Sequence, residues 1–551
     1  MRLFSSSLAL LGLVVMTAKA APTPSHSAEI LKFPPLLCPR QAGSSLTVNT
    51  PLGVAHGAAD NSGSVRFAVK YADHQRWKDS TVVKTWQLPN GQSDPSAMPK
   101  ACPQPDLDSS AFAEDCLSMV LYVPASVHQG SKAPTLMWIH GGSFAVGSAN
   151  GPGLDGSNLA TATNSIVAVI QYRLGALGFH APNGPLNLAV KDTIHAMQFL
   201  QKVLPSFGGD ASQITIAGQS AGASMIRTLL GTPSANNLFK SAILQSDTMD
   251  YGLYTTGMQQ TLQNFFNSQL TCGVSDSACL NSLSLDAILQ AQDNLSNQAP
   301  GLVPAANQAE PIRPTRDGTL VTSPLDSTAQ FPSVNKPLLI TTVRNEAGFT
   351  IYGGTGGQLD PPDYEFMVNA AFGDSSAKKL LAFPDYAVPP STNTSDGKVI
   401  TPNVVSQLSQ MGTDQVWRCP SWTFARNWVS HGGKAYVGEY FVGASYPGND
   451  AVAFCTQSGV VCHQDDIEIV FGTVPNPNSA QSALIKEMQA RYSAFLRTGN
   501  PNTGSLPAWT AAGTSDVHPI QLGGSGEAPV GGCDPTFWGA AVPFDYQTFG
   551  I

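Results

Sequence analysis

Ile214-Thr215-Ile216-Ala217-Gly218-Gln219-Ser220-Ala221-Gly222-Ala223-Ser224-Met225-Ile226-Arg227-Thr228-Leu229-Leu230 is the stretch on which the fold turns. Its first four residues form a short apolar run that reads as a buried strand. Residues 223–230 read as a helix. Between them stands Gly218-Gln219-Ser220-Ala221-Gly222, a G-x-S-x-G turn. Strand, tight turn and helix together are the setting in which such a serine becomes a nucleophile. A side chain at Gly218 or Gly222 would collide with the neighbouring strand or helix. The five-residue pattern arises by chance in long chains, so its flanks carry the reading.

Working outward, other apolar runs repeat the strand signal. Residues 135–139 end in His140-Gly141-Gly142-Ser143-Phe144, and residues 165–172 end in Arg173-Leu174-Gly175. Residues 241–245 and 337–343 are further buried strands, and 435–442 is the last clear one. Near the N-terminus, Leu46-Thr47-Val48 and residues 65–69 alternate like antiparallel strands, and 117–123 is another strand. Residues 190–204 and 479–497 have helical spacing. Residues 255–330 read as a mainly helical insertion, 355–412 as a polar region with short helical patches, and 447–466 as a loop. Buried strands alternating with helices predict an α/β protein with a large, mostly parallel sheet. With no repeat or linker signal, residues 21–551 read as one catalytic domain.

The ends and the composition place the chain. Arg2, the apolar residues 8–16 and Ala18-Lys19-Ala20 before Ala21 read as a signal peptide over residues 1–20. The protein is therefore expected to be secreted, extracellular or in the lumen of the secretory pathway, with no transmembrane segment. A net charge of -9 disfavours nucleic acid as a partner. Of the nine cysteines, Cys102/Cys116, Cys272/Cys279 and Cys455/Cys462 are close enough in sequence for local bridges. That leaves Cys38, Cys419 and Cys533, of which at least one is expected to be a free thiol. Cys419 and Cys533 also stand as alternative partners for Cys455 and Cys462. Asn294 and Asn393 begin glycosylation sequons.

Acyl chemistry by a serine needs a base, an orienting carboxylate and N–H donors for the oxyanion. Ser220 is the candidate nucleophile. The glycine loop at 140–144 and the N–H of Ala221 are candidate donors. His463, trailed by Gln464, Asp465, Asp466 and Glu468, is expected to be an exposed loop histidine of raised basicity. His140 and His195 read as structural. Glu346, Asp247, Glu310 and Asp317 are all candidate carboxylates. Glu346 ends a buried strand and gives the chain order Ser, acid, His of the α/β-hydrolases. A metal reading of residues 463–466 lacks a second helix-spaced histidine.

Several segments together resemble the type-B carboxylesterase/lipase family, which includes the cholinesterases. They are Glu114-Asp115-Cys116-Leu117, residues 140–148, residues 171–179, residues 207–210, the Ser220 turn, and residues 461–472. The resemblance implies an α/β-hydrolase fold and a Ser220, Glu346, His463 triad. It also implies an oxyanion hole from Gly142, Ser143 and Ala221, and Cys102 as the partner of Cys116. It implies a small-molecule ester substrate and no cofactor or metal. The chain departs from the family pattern at four places. Ser143 stands for a glycine, Gln219 for a glutamate, and Ala347 for a glycine. The Cys102–Cys116 segment contains no tryptophan, which argues against choline esters. The expected protein is a secreted serine carboxylic-ester hydrolase. The rivals are an acyltransferase or lactone-forming esterase of specialised metabolism, and a non-catalytic binding protein of the same fold.

Overall fold

The apolar runs around the elbow lie side by side. The computed structural model describes residues 46–60, 62–306, 310–326, 331–332, 334–393 and 399–551. The signal-peptide reading and Cys38 fall outside these residues. Ten strands make the central sheet: β1 (Ala58–Ala59), β2 (Ser64–Lys70), β3 (Ser118–Pro124), β4 (Ala133–Ile139), β5 (Ile166–Ile170), β6 (Gly209–Gln219), β7 (Ser241–Gln245), β8 (Pro337–Val343), β9 (Lys434–Tyr440) and β10 (Ile520–Leu522). Their order across the sheet is β10-β9-β8-β7-β6-β4-β5-β3-β2-β1. From β5 through β10 every neighbouring pair is parallel, and the β1, β2, β3 end is antiparallel.

The central strands are mainly apolar where both faces are covered, as in β4, β5 and β7, which are buried throughout. Along β4, Leu136 and Trp138 face one core while Met137 and Ile139 face the other. Helices α1 (Leu188–Val203) and α2 (Ala221–Leu230) contribute to the larger core. The insertion after β7 carries α3 (Thr256–Ser268) and α4 (Leu285–Leu302), joined through the Cys272–Cys279 bridge. After β8 come α5 (Gly348–Thr355), α6 (Pro361–Ala382), α7 (Val405–Thr413) and α8 (Cys419–Ser430). On the other face, α9 (Ser479–Thr498) presents Leu484, Met488, Tyr492 and Phe495 to the second core. Asn478 and Gln481 close a reciprocal capping box at its start.

Two differences from the sequence reading stand out. The region 355–412 holds a long helical stretch, α6, broken at Gly373, where φ is 71°. Helix α8 and the edge strand β10 carried no clear local signal. The sequence leaves the pairing of Cys419 and Cys533 open, and the two are bridged across 114 residues, so of the three unassigned cysteines only Cys38, outside the described residues, is left over. The Cys102–Cys116, Cys272–Cys279 and Cys455–Cys462 pairs are as expected. Asn294 lies half-buried on α4 and donates to Gln269 Oε1 at 3.1 Å. Asn393 lies in a short strand, Thr392–Asn393, beside residues outside the described set.

Candidate active site

Ser220 stands where β6 becomes α2. Its backbone is forced to φ 58°, ψ −128°, a strained conformation that a non-glycine residue keeps only under constraint. The constraint is visible. The Ser220 N–H donates to Gln245 O at 2.9 Å, tying the turn to the end of β7. A Cβ on Gly222 would lie 2.1 Å from Ile139 O, and one on Gly218 would lie 2.7 Å from the same oxygen. Both glycines are therefore dictated by the backbone of β4, as the sequence suggests. Ser220 is buried, with 6% of its surface exposed.

The glycine loop leaves the end of β4 and packs on Ser220. A Cβ on Gly141 would come within 3.1 Å of Ser220 Cβ. Gly142 has φ 113°, and Ser143 and Phe144 follow at 51° and 57°, so three successive residues are left-handed. Among the described residues the N–H groups of Gly142 and Ser143 have no acceptor. Ala221 is the first residue of α2, where N–H groups lack partners within the helix. His140 is structural: it stacks on Tyr172 with ring centroids 4.7 Å apart, and burial pushes it down to about 4. His195 holds Ser80 Oγ at 2.8 Å on α1.

His463 and Glu346 meet. Imidazole Nδ1 lies 2.6 Å from Glu346 Oε2. The other carboxylate oxygen accepts the Val343 N–H at 2.9 Å, so both oxygens are engaged. His463 is only 5% exposed, contrary to the exposed histidine that its polar sequence neighbours suggest. Trp417 packs against its ring at 5.5 Å, and its carbonyl accepts from Asn449 Nδ2 at 2.9 Å. Burial acts to lower its pKa, but the Glu346 charge and hydrogen bond outweigh that, with Asp466 and Glu310 adding, so the pKa is raised. On the far side of the ring, Gln219 Nε2 lies 3.1 Å from His463 Nε2. With Nδ1–H given to Glu346, Nε2 carries the lone pair, and the Gln219 amide N–H donates into it.

The other candidate carboxylates are used elsewhere. Asp247 is paired with Arg227 at 2.9 Å in the interior. Asp317 accepts from Asn187 and the backbone of its own turn. Glu310 accepts from Thr248 Oγ1 at 3.0 Å, and burial pushes its carboxyl up to about 7. Asp466, buried and pushed up to about 6, accepts a hydrogen bond from Gln245 Nε2. Gln245 thereby links the His463 segment to the strand end that holds Ser220.

Sequence reasoning missed Asn345, Trp417 and Asn449. Asn345 joins the acid loop to the histidine loop: its N–H donates to Val461 O at 2.9 Å, and Val461 N–H donates to its Oδ1 at 3.1 Å. Its position beside Glu346 was the available signal. Trp417 lies in a helical segment with no local mark of its role.

Residues 45–527 match the profile of the carboxylesterase family. The chain is 27% identical to the Crystal protein of Dictyostelium discoideum, over 82% of this chain and 81% of that protein. It is 26% identical to Carboxylesterase 1D of Rattus norvegicus, over 76% and 75%. It is 27% identical to Carboxylesterase 5A of Homo sapiens, over 87% and 82%. Among solved structures, a PNB esterase superposes with a TM-score of 0.70 at 24% identity, over 86% of this chain and 95% of that one, a likeness that bears on the fold. A profile match across almost the whole described chain, on an α/β-hydrolase sheet with a serine elbow, means that this chain belongs to the carboxylesterase family.

Proposed function

We propose that the protein is a secreted serine carboxylic-ester hydrolase that works through a Ser220, Glu346, His463 triad and an acyl-enzyme. His463 Nε2, exchanging the Gln219 amide for the Ser220 hydroxyl, takes the hydroxyl proton as Oγ attacks the ester carbonyl. The N–H groups of Gly142, Ser143 and Ala221 receive the oxyanion. The imidazolium returns the proton to the departing alcohol. Water then repeats the sequence on the acyl-enzyme and releases the acid. Glu346 holds the ring with Nδ1 protonated and stabilises its charged form.

The observation that carries this reading is the 2.6 Å Glu346–His463 contact, with the next residue to Ser220 reaching the opposite ring nitrogen. Export is supported by four bridges and by the absence, among the described residues, of a helix long and apolar enough to cross a membrane. A fluorophosphonate probe is expected to label the wild type and not Ser220→Ala. Hydrolysis of p-nitrophenyl esters by that variant is expected to fall on the order of a thousandfold or more, with melting temperature nearly unchanged. Labelling of a folded Ser220→Ala protein would remove Ser220 from the mechanism.

A further inference from the structure

A cavity of about 390 Å³ opens between α5, α7 and the loop that carries the Cys455–Cys462 bridge. Arg344, Asn345, Tyr352, Gln410, Thr413 and Phe454 supply its chemistry. Ser220, Glu346, His463 and the glycine loop are not among its lining residues, so it is a separate site. Its volume falls in the range of small-molecule pockets.

The lining is selective in character. Arg344 is its one charged residue, and no carboxylate lines the cavity. Arg344 is exposed, and its guanidinium sits over the Phe441 ring, 5.1 Å from the centroid. Tyr352 and Phe454 stack face to face, with centroids 3.7 Å apart and an interplanar angle of 5°, so each covers one face of the other and only the outer faces and edges of the pair are free to meet an occupant. Amide and hydroxyl groups of Asn345, Gln410 and Thr413 complete the rim. Glu439, buried on β9, feels the Arg344 charge but does not line the cavity, so on a protein of net charge -9 this exposed arginine is a place where an anion is held.

The walls of the cavity are also the scaffold of the acid and the base. Asn345 precedes Glu346 and is hydrogen-bonded in both directions to Val461. Thr413 Oγ1 accepts the N–H of Ala347, the residue after Glu346, at 3.1 Å. The Phe454 ring lies against Gly348, where an added Cβ would be 2.8 Å from Cε1. An occupant would therefore touch Asn345 just before Glu346, Thr413, which holds the residue just after it, and Ser458, Gly459 and Val460 in the loop that the bridge next to His463 closes.

We propose that this cavity is an effector site for a small aryl carboxylate. Arg344 takes the carboxylate in a two-point contact, and the ring lies against an outer face of the Tyr352–Phe454 stack. Occupancy changes turnover through the Asn345 and Thr413 hydrogen bonds. The regulatory part rests on the triad reading, because aryl carboxylates are among the products an ester hydrolase can release. The binding part does not.

Benzoate is the probe, and full-length Ser220→Ala protein is the receptor for calorimetric titration. One benzoate per chain is expected to bind. Arg344→Gln is expected to weaken it by about tenfold or more, the loss of a charge-assisted bidentate contact. Ser458→Trp, at an exposed lining position, is expected to block binding while keeping Arg344. With wild-type enzyme at saturating p-nitrophenyl ester, benzoate is expected to change kcat, and Arg344→Gln is expected to remove that response. Absence of binding up to roughly 10 mM, a thermodynamically negligible affinity, overturns the proposal. So does binding undiminished in both cavity variants, which would put benzoate in the catalytic site. Binding that follows the cavity variants with no change in kcat overturns the regulatory role. Full activity in Ser220→Ala would instead overturn the triad reading and leave the binding result intact.

Discussion

At Glu346 and His463 the chemistry is set by which charges face a buried ring. Burial lowers the His463 pKa, and Glu346 more than reverses it. In the proposed mechanism His463 acts as base only when neutral, so kcat/KM is expected to rise with pH through a limb lying above the ordinary histidine value of about 6.5. Glu346→Gln keeps a hydrogen-bonding side chain but removes the charge. Turnover is expected to fall by roughly 100- to 10,000-fold, with a much smaller change in KM. The acid limb of the residual activity is expected to move to lower pH. A limb that stays in place would show that Glu346 does not hold the histidine pKa up. Gln219 acts on the opposite nitrogen. Gln219→Glu places a second anion beside Nε2, so the limb is expected to move to higher pH. Steady-state pH profiles of the two variants should therefore shift in opposite directions from wild type.

At the scale of elements, two disulfides divide the work. Cys455–Cys462 closes seven residues of sequence separation immediately before His463. The chain-entropy estimate for so short a loop is roughly 2–3 kcal/mol, whereas a separation of 114 residues, as in Cys419–Cys533, corresponds to roughly 4–5 kcal/mol. The short bridge also fixes the backbone beside the base, where an error of about 1 Å can slow turnover on the order of 100-fold. The Cys455→Ala/Cys462→Ala double variant is expected to lose more turnover than stability. The Cys419→Ala/Cys533→Ala double variant is expected to show the reverse. Denaturant midpoints and kcat on both proteins check this, and wild-type turnover in the folded first variant would remove the bridge from any positioning role.

Over the whole molecule, buried carboxyls set how stability depends on pH. Burial raises Glu310 to about 7, Asp465 to about 7 and Asp466 to about 6. Unfolded, such groups titrate near about 4. The folded protein therefore binds protons between these values that the unfolded chain does not, and this contribution to stability is lost as pH rises through 6 to 7. Asp192 has the opposite sign. Burial raises it, but the paired Arg173 guanidinium, at 2.7 Å, holds it below the usual range. Its contribution is present above the unfolded value and is lost as pH falls through the depressed one. Maximum melting temperature is thus expected on the acidic side of neutrality, while activity, needing neutral His463, favours higher pH. Glu310→Gln is expected to flatten the decline in melting temperature between pH 5 and pH 8, about one group's share of the slope. An unchanged slope would mean that Glu310 is not titrating in that window.

The elbow, the strands of the sheet and the motif segments were legible in the sequence because their causes are local. An unbroken apolar run becomes a strand covered on both faces, as β4 and β5 are. A Cβ on Gly218 would come 2.8 Å from the Gly222 carbonyl carbon within its own turn, a local reason for glycine there. Neighbouring cysteines such as Cys272 and Cys279 find one another across short loops. Other features were decided only by packing at long range. Four carboxylates were candidates by sequence, and only the folded chain brings Glu346, rather than Asp247, Glu310 or Asp317, onto His463 across 117 positions. The polar residues following His463 suggest exposure, yet Trp417 and the loop folded over it bury the ring and let one carboxylate govern its pKa. Cys419 and Cys533 became partners through the placement of α8 against the C-terminal region. Local sequence fixes which backbone shapes are allowed. Burial and charge pairing belong to neighbours that are distant in sequence, so they exist only once the tertiary structure has formed.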